Sequence, residues 1–309
     1  MGNLINNVAS LFFIETYENH EEKQYLTAIK NILENGYDET GRNGQTRSIF
    51  GDCSMKFSLK NGRMPILTTK KMAWKTCLRE LLWFIHGSTD NTLLNAQNVH
   101  IWDLNSTREF LDKRGLSKYD DGDIGPMYGF QWRHYGAKYY GCKYNYENEG
   151  IDQLQNIIDL LKNPETRSSR RILMTAWNAN ELDNMTLYPC HVLCQFNVQD
   201  GNKLSCAFYQ RSSDMFLGKP FNIASYAFLT HLLAKHCGLE AHELFCFNGN
   251  CHIYDSHLDA VKEQLTREAF PFPTIEIDSI RENINDYTVD DFIIRNYKCH
   301  PPIKALMVA

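Results

Sequence analysis

Cys190, His191, Arg211 and Ser212 are the residues whose types and spacing point most directly to chemistry. Two apolar-alternating segments, 191–198 and 204–210, flank Asp200-Gly201-Asn202 and read as a hairpin. Pairing Val198 with Leu204, Phe196 with Cys206 and Cys194 with Phe208 keeps the apolar side chains on one face and implies a three-residue loop. Carried outward, that register sets Cys190 opposite Ser212, with Arg211 adjacent. A free thiol titrates at about 8.5 and is mostly protonated at neutral pH, but a neighbouring guanidinium stabilises the thiolate and makes it a usable nucleophile. The competing reading is an ordinary buried thiol, because ten cysteines are scattered along the chain without framework spacing. His191 alone reads as a hydrogen-bonded structural histidine rather than a base.

Two basic clusters could serve an anionic substrate. Arg170-Arg171 precedes the extended segment 172–177, and Arg42 to Arg47 forms a second basic stretch. Guanidinium forks match phosphate geometry bidentately. Either cluster alone reads as solvated surface charge; beside a nucleophile they read as oxyanion clamps. Cys190-His191 with Cys194, Cys251-His252 with His257, and Cys299-His300 supply soft ligands, but none has a recognised zinc spacing, so no metal site is expected.

Periodic segments must position these groups. Asn19 followed by Glu22 resembles a capping box opening a helix, with Leu26, Ile29, Ile32 and Leu33 on one face before Gly36. Further helices are predicted over 72–87, over 152–162 before Pro164, and over 222–238, the most apolar. No repeat or linker divides the chain, and 309 residues that are 43% hydrophobic can bury a large core. The expected organisation is an extension over 1–20 and one domain over 21–309. The apolar run 8–14 is too short to span a bilayer and has no basic residue before it. Met1-Gly2 is followed by Asn6 where myristoylation wants Ser or Thr. With 32 Lys and Arg against 37 Asp and Glu, the net charge of -5 gives no global attraction to nucleic acid or acidic membranes. Unpaired cysteines favour a reducing compartment, cytoplasm or nucleus.

The run Leu187-Tyr188-Pro189-Cys190-His191, then Tyr209-Gln210-Arg211-Ser212-Ser213-Asp214, then Leu217-Gly218-Lys219-Pro220-Phe221-Asn222-Ile223-Ala224-Ser225-Tyr226, resembles the thymidylate synthase family. Leu67-Thr68-Thr69-Lys70, Glu80-Leu81-Leu82-Trp83-Phe84, Gly125-Pro126-Met127-Tyr128-Gly129 and Ala176-Trp177-Asn178 extend the likeness from about residue 25 to the C-terminus. The resemblance implies a methyltransferase of α+β fold: a large mixed sheet with helices on one face, its other face stacked on a second subunit in an obligate homodimer. It implies dUMP and methylenetetrahydrofolate as substrates, with no metal, flavin or nicotinamide.

By that resemblance Cys190 adds to carbon 6 of uracil, Glu80 organises protons and water around the ring and assists folate departure, and Tyr128 takes part in proton abstraction. Arg42, Arg211 and Ser212 match phosphate ligands of one subunit, and Arg170 and Arg171 match ligands reaching in from the other. Gln210, Asp214, His252 and Tyr254 match further dUMP contacts, the last two at the deoxyribose hydroxyl. Trp102, Asn105, Asp214, Gly218 and the C-terminal Val308-Ala309 match folate contacts, with the C-terminus closing over the site. Asn222 can accept from the uracil N–H and donate to the adjacent oxygen. The related cytidylate hydroxymethylases resemble an aspartate here, so Asn222 implies dUMP, provided neighbours prevent the amide from flipping.

The chain departs from the family pattern in four places. The stretch Arg42-Asn43-Gly44-Gln45-Thr46 is one residue short, leaving Arg42 or Arg47 as the phosphate ligand, with Arg42 preferred. Asn178-Ala179 and Tyr188 lack usual prolines, and Asn250-Cys251 stands where Asp and a small residue are usual, which implies altered affinity at the sugar rather than lost chemistry. The rival enzymatic reading is a deoxynucleotide hydroxymethylase, in which water instead of hydride traps the intermediate. Nucleic-acid binding is expected at most as a secondary role, given the acidic net charge.

Overall fold

Helix α1 (His20–Asn35) opens the computed structural model, which describes residues 20–41 and 43–308. The run 8–14, the extension up to Asn19 and residues Arg42 and Ala309 lie outside the described residues. Tyr25, Ile29 and Ile32 recur at helical spacing and are fully buried, with Leu26 and Leu33 on their flanks. The Glu22 carboxylate, read above as half of a capping box, accepts both hydroxyls and both backbone N–H groups of Thr68 and Thr69 at 2.6–3.0 Å. Each of those buried donors, left unmet, would cost about 1–3 kcal/mol.

The main sheet has seven strands. They are β1 (Tyr37–Gly41), β2 (Gly44–Phe50), β3 (Ser54–Ser58), β4 (Leu173–Thr175), β5 (His191–Gln199), β6 (Lys203–Asp214) and β7 (Glu240–Tyr254). Their order is β1-β2-β7-β6-β5-β4, with β3 also on β7. All pairs are antiparallel except β6 with β7, whose parallel pairing needs the crossover that α7 (Gly218–His236) provides. Fifteen of the 19 residues of α7 are buried, so the helix is covered on nearly every side. It lies against β6 and β7 on one side and α2 (Trp74–Ile85) on another. The remaining helices include α3 (Asn91–Asn95), α4 (Arg108–Lys113), α5 (Gly129–His134), α6 (Gln153–Lys162) and α8 (Leu258–Leu265). Strands β8 (Thr274–Ile277) and β9 (Phe292–Arg295) form a separate ribbon. The fold is α+β, a large mixed sheet packed with helices.

The periodic expectations hold at their centres and shift at their ends. Asp152 caps α6 by accepting from Gln155 N at 2.8 Å. Helix α2 is shorter than 72–87, and α7 starts four residues before 222, because Asp214 accepts from the backbone of Phe216 and Leu217 and turns the chain early. The extended segment 172–177 pairs only over β4. On the sheet face away from the helices, Leu173, Tyr209 and Phe247 are 41%, 38% and 48% exposed, an apolar surface without cover in one chain. No helix among the described residues is long and apolar enough to cross a membrane.

Candidate active site

The β5–β6 hairpin has the expected register through Cys194↔Phe208 and the expected three-residue loop, with positive φ at Asp200 and Gly201. Its outer end differs. A bulge between His191 and Leu193 slips the pairing by one residue, so His191 faces Gln210 and the Cys190 carbonyl takes the Arg211 N–H at 2.9 Å. Cys190 therefore sits opposite Arg211, not Ser212. The cause is His191, whose ring turns into the core: Nδ1 lies 2.9 Å from Tyr226 Oη and the ring stacks on Tyr128 at 4.1 Å. Burial, helped by the charge of Lys219, lowers its pKa to about 3. A neutral, stacked imidazole orients the strand and is not the base.

Cys190 is half-buried on the wall of a cavity of about 740 Å3. The same cavity is lined by Glu80, Trp102, Asn105, Tyr128, Gln210, Arg211, Ser212, Asp214, Gly218, Asn222, His252 and Tyr254. All of these were singled out in the sequence, and they come from segments as distant as α2 and the end of β7. Gly249 lets β7 approach β6 here: a Cβ on it would stand 2.9 Å from both the Arg211 carbonyl and Tyr209 Oη.

Tyr128 precedes α5 with φ of +30°, a strained value for a non-glycine residue. Its hydroxyl accepts the Cys190 N–H at 2.8 Å, tying the strain to the position of Cys190. Burial, reinforced by Cys190 and Glu80, pushes the phenol well above its ordinary pKa. It stays protonated, which suits passing a proton onward rather than resting as phenolate.

Glu80 projects from α2 and accepts Trp102 Nε1–H at 2.8 Å. Burial raises its pKa from the ordinary 4.5 to about 7, against the opposing pull of that hydrogen bond. Between these values the folded chain holds a proton that the unfolded chain has lost, so this carboxyl makes stability fall as pH rises from 4.5 to 7. Glu80→Gln should therefore melt higher than the parent at pH 8, with the gain vanishing below about pH 4.5 in a thermal-denaturation series. A gain that is the same at both pH values would rule out the shifted carboxyl.

Arg211 donates from Nε to the Pro189 carbonyl and from Nη2 to the Tyr188 carbonyl, each within 3 Å, and rests over the Trp177 ring. Four hydrogen-bonding and ring contacts thus hold it beside the Cys190 backbone. Arg114, which sequence reading missed, grips the same strap from its other end through the Met185 and Thr186 carbonyls and also lines the cavity. Nothing local to Arg114 marks it, because its partners lie about seventy residues away. Arg47 is engaged by Asp38 at 2.9 Å and by the Leu33 carbonyl and does not line this cavity. Arg170 and Arg171 are exposed before β4 and do not reach the cavity of their own chain.

Around the rest of the cavity, Gln210 Nε2 donates to Asn222 Oδ1 at 2.8 Å, and His252 Nδ1 lies 2.9 Å from Asn250 Oδ1. Glu39 stands 3.5 Å from the Asn250 amide, so a carboxylate borders this wall of the cavity although Asn250 is neutral. Asn105 Nδ2 is buried and has no partner among the described residues, a donor that a bound ligand could satisfy. His257 Nε2 lies 2.7 Å from the Leu306 carbonyl and docks the C-terminal segment so that Val308 lines the cavity.

One cavity thus joins the thiol of Cys190 to the guanidinium groups of Arg114 and Arg211, the carboxyl of Glu80 and several carboxamides, among them Gln210 and Asn222. The thymidylate synthase family model matches residues 23–309, and the chain belongs to that family. It is 47% identical over 290 residues to thymidylate synthase of Ascaris suum, covering 94% of this chain and 97% of that protein. Identity to the Herpesvirus ateles thymidylate synthase is 49% over 291 residues, covering 94% and 99%. A bifunctional dihydrofolate reductase-thymidylate synthase of Plasmodium berghei is 49% identical over 294 residues, 95% of this chain; the chain spans about half, 49%, of that longer relative.

Proposed function

We propose that the chain converts dUMP to dTMP with methylenetetrahydrofolate as donor of both the carbon and the hydride. The observation that carries this reading is that a thiol, Cys190, and a ring-reading carboxamide, Asn222, line one cavity with Glu80 and Tyr128. The Cys190 thiolate adds to carbon 6 of uracil, and the electron pair displaced to carbon 5 captures the folate methylene. Loss of the carbon 5 proton through the Tyr128 and Glu80 side of the cavity expels the folate amine. Hydride from the tetrahydrofolate then reduces the exocyclic methylene, the bond to Cys190 breaks, and dTMP and dihydrofolate leave.

Arg211, Ser212 and Arg42 serve the phosphate, with Arg170 and Arg171 added by a partner subunit across the exposed sheet face that carries Leu173, Tyr209 and Phe247. Gln210 and Asn222 serve the ring, His252 and Tyr254 the sugar. Trp102, Asn105, Asp214, Gly218 and Ala309 serve the folate; the amide of Asn105, without a partner among the described residues, supports that placement. The proposed location is the cytoplasm, in keeping with the many unpaired cysteines.

The test is the rise in ultraviolet absorbance from dihydrofolate on mixing protein, dUMP and methylenetetrahydrofolate. A folded protein that gives no dihydrofolate but forms hydroxymethyl-dUMP would replace this reading with hydroxymethylation.

A further inference from the structure

Lys219 has no exposed surface, yet no carboxylate pairs with it among the described residues. Its ammonium donates to Asn248 Oδ1 at 2.6 Å and to Gln210 Oε1 at 3.2 Å, and lies 4.6 Å from the centre of the Phe208 ring. Asn248 spends its own amide hydrogens on the Cys53 carbonyl at 2.7 Å, and is thereby anchored with its oxygen toward the lysine. Burying a cation without a counter-ion is costly, so its hydrogen bonds have to be complete.

An ammonium offers three donors and no acceptor. It therefore admits one orientation of Gln210, with the carbonyl toward Lys219 and the NH2 toward Asn222. That NH2 in turn requires Oδ1 of Asn222, at 2.8 Å. Asn222 is left with one free lone pair on Oδ1 and its Nδ2 hydrogens, which make no hydrogen bond among the described residues. A ring with N–H beside C=O satisfies both groups, as uracil does. Cytosine offers a lone pair beside an NH2 and opposes both. Without the cation the two amides can reverse together: Gln210 then accepts from Asn222 Nδ2, and Asn222 presents the pattern that cytosine needs.

We propose that Lys219 is a positioning residue for base specificity, holding Asn222 through Gln210 in the orientation that takes uracil and rejects cytosine. This rests on the dUMP reading above and adds the reason the amide does not flip. The experiment compares kcat/KM for dUMP and dCMP in the full-length parent, in Lys219→Met, and in the double variant Lys219→Leu/Asn248→Leu. The double variant removes the cation and its second partner together, and so keeps a folded test available if the single one is too unstable. The dUMP to dCMP ratio should fall about tenfold in the folded variants, the worth of one lost hydrogen bond. A purely structural role would lower both kcat/KM values together. An unchanged ratio in a folded variant therefore overturns the proposal, while absence of dUMP turnover in the parent overturns the reading beneath it.

Discussion

Cys190→Ala lowers dihydrofolate release from dUMP and methylenetetrahydrofolate by at least about 10^4-fold while leaving dUMP binding measurable. The size follows from the role: removing a nucleophile eliminates the covalent route, and the rest of the site then supplies only orientation and electrostatics. Binding survives because the proposed holders of phosphate, sugar and ring, Arg211, His252 and Asn222, line the cavity apart from Cys190. Single-turnover absorbance measures the chemistry, and calorimetric titration with dUMP measures the binding. A variant that retained turnover within tenfold would remove Cys190 from the reaction, whatever the geometry around it.

Arg170→Ala/Arg171→Ala, with both changes in one chain, loses roughly 10^2- to 10^4-fold in kcat/KM for dUMP. Each guanidinium–phosphate contact is charge-assisted and worth about 1.5–3 kcal/mol. The loss is expected although neither side chain reaches the cavity of its own chain. Mixing this variant with Cys190→Ala under conditions that exchange subunits should restore about a quarter of the parent activity, because half of the dimers are hybrids with one competent site each. Native mass spectrometry counts the hybrids. Hybrids that form without activity would show that the arginines do not serve a neighbour's nucleophile.

The hairpin illustrates how far local pattern reaches. Alternation of Val198, Phe196 and Cys194 against Leu204, Cys206 and Phe208 is enough for its register, because one face must be dry and a slip by one residue would expose every apolar side chain. The bulge beside His191 has no such local signature. It depends on Tyr226 and Tyr128, which reach the imidazole from other elements. Strand β7 was equally silent: Asn248, Gly249 and Asn250 interrupt its apolar alternation, and each has a partner elsewhere, Lys219, the Arg211 backbone and Glu39 respectively.

Family membership, and the gathering of Cys190, Arg211 and Asn222 into one cavity, were legible as ordered motifs. Helix centres were legible too, because a buried stripe at helical spacing is a local property. The neutral state of His191, the raised pKa of Glu80, the paired strap arginines Arg114 and Arg211 and the buried cation behind Asn222 were not. Protonation and amide orientation depend on which groups surround a side chain in three dimensions, and those groups arrive from segments separated by tens to hundreds of residues.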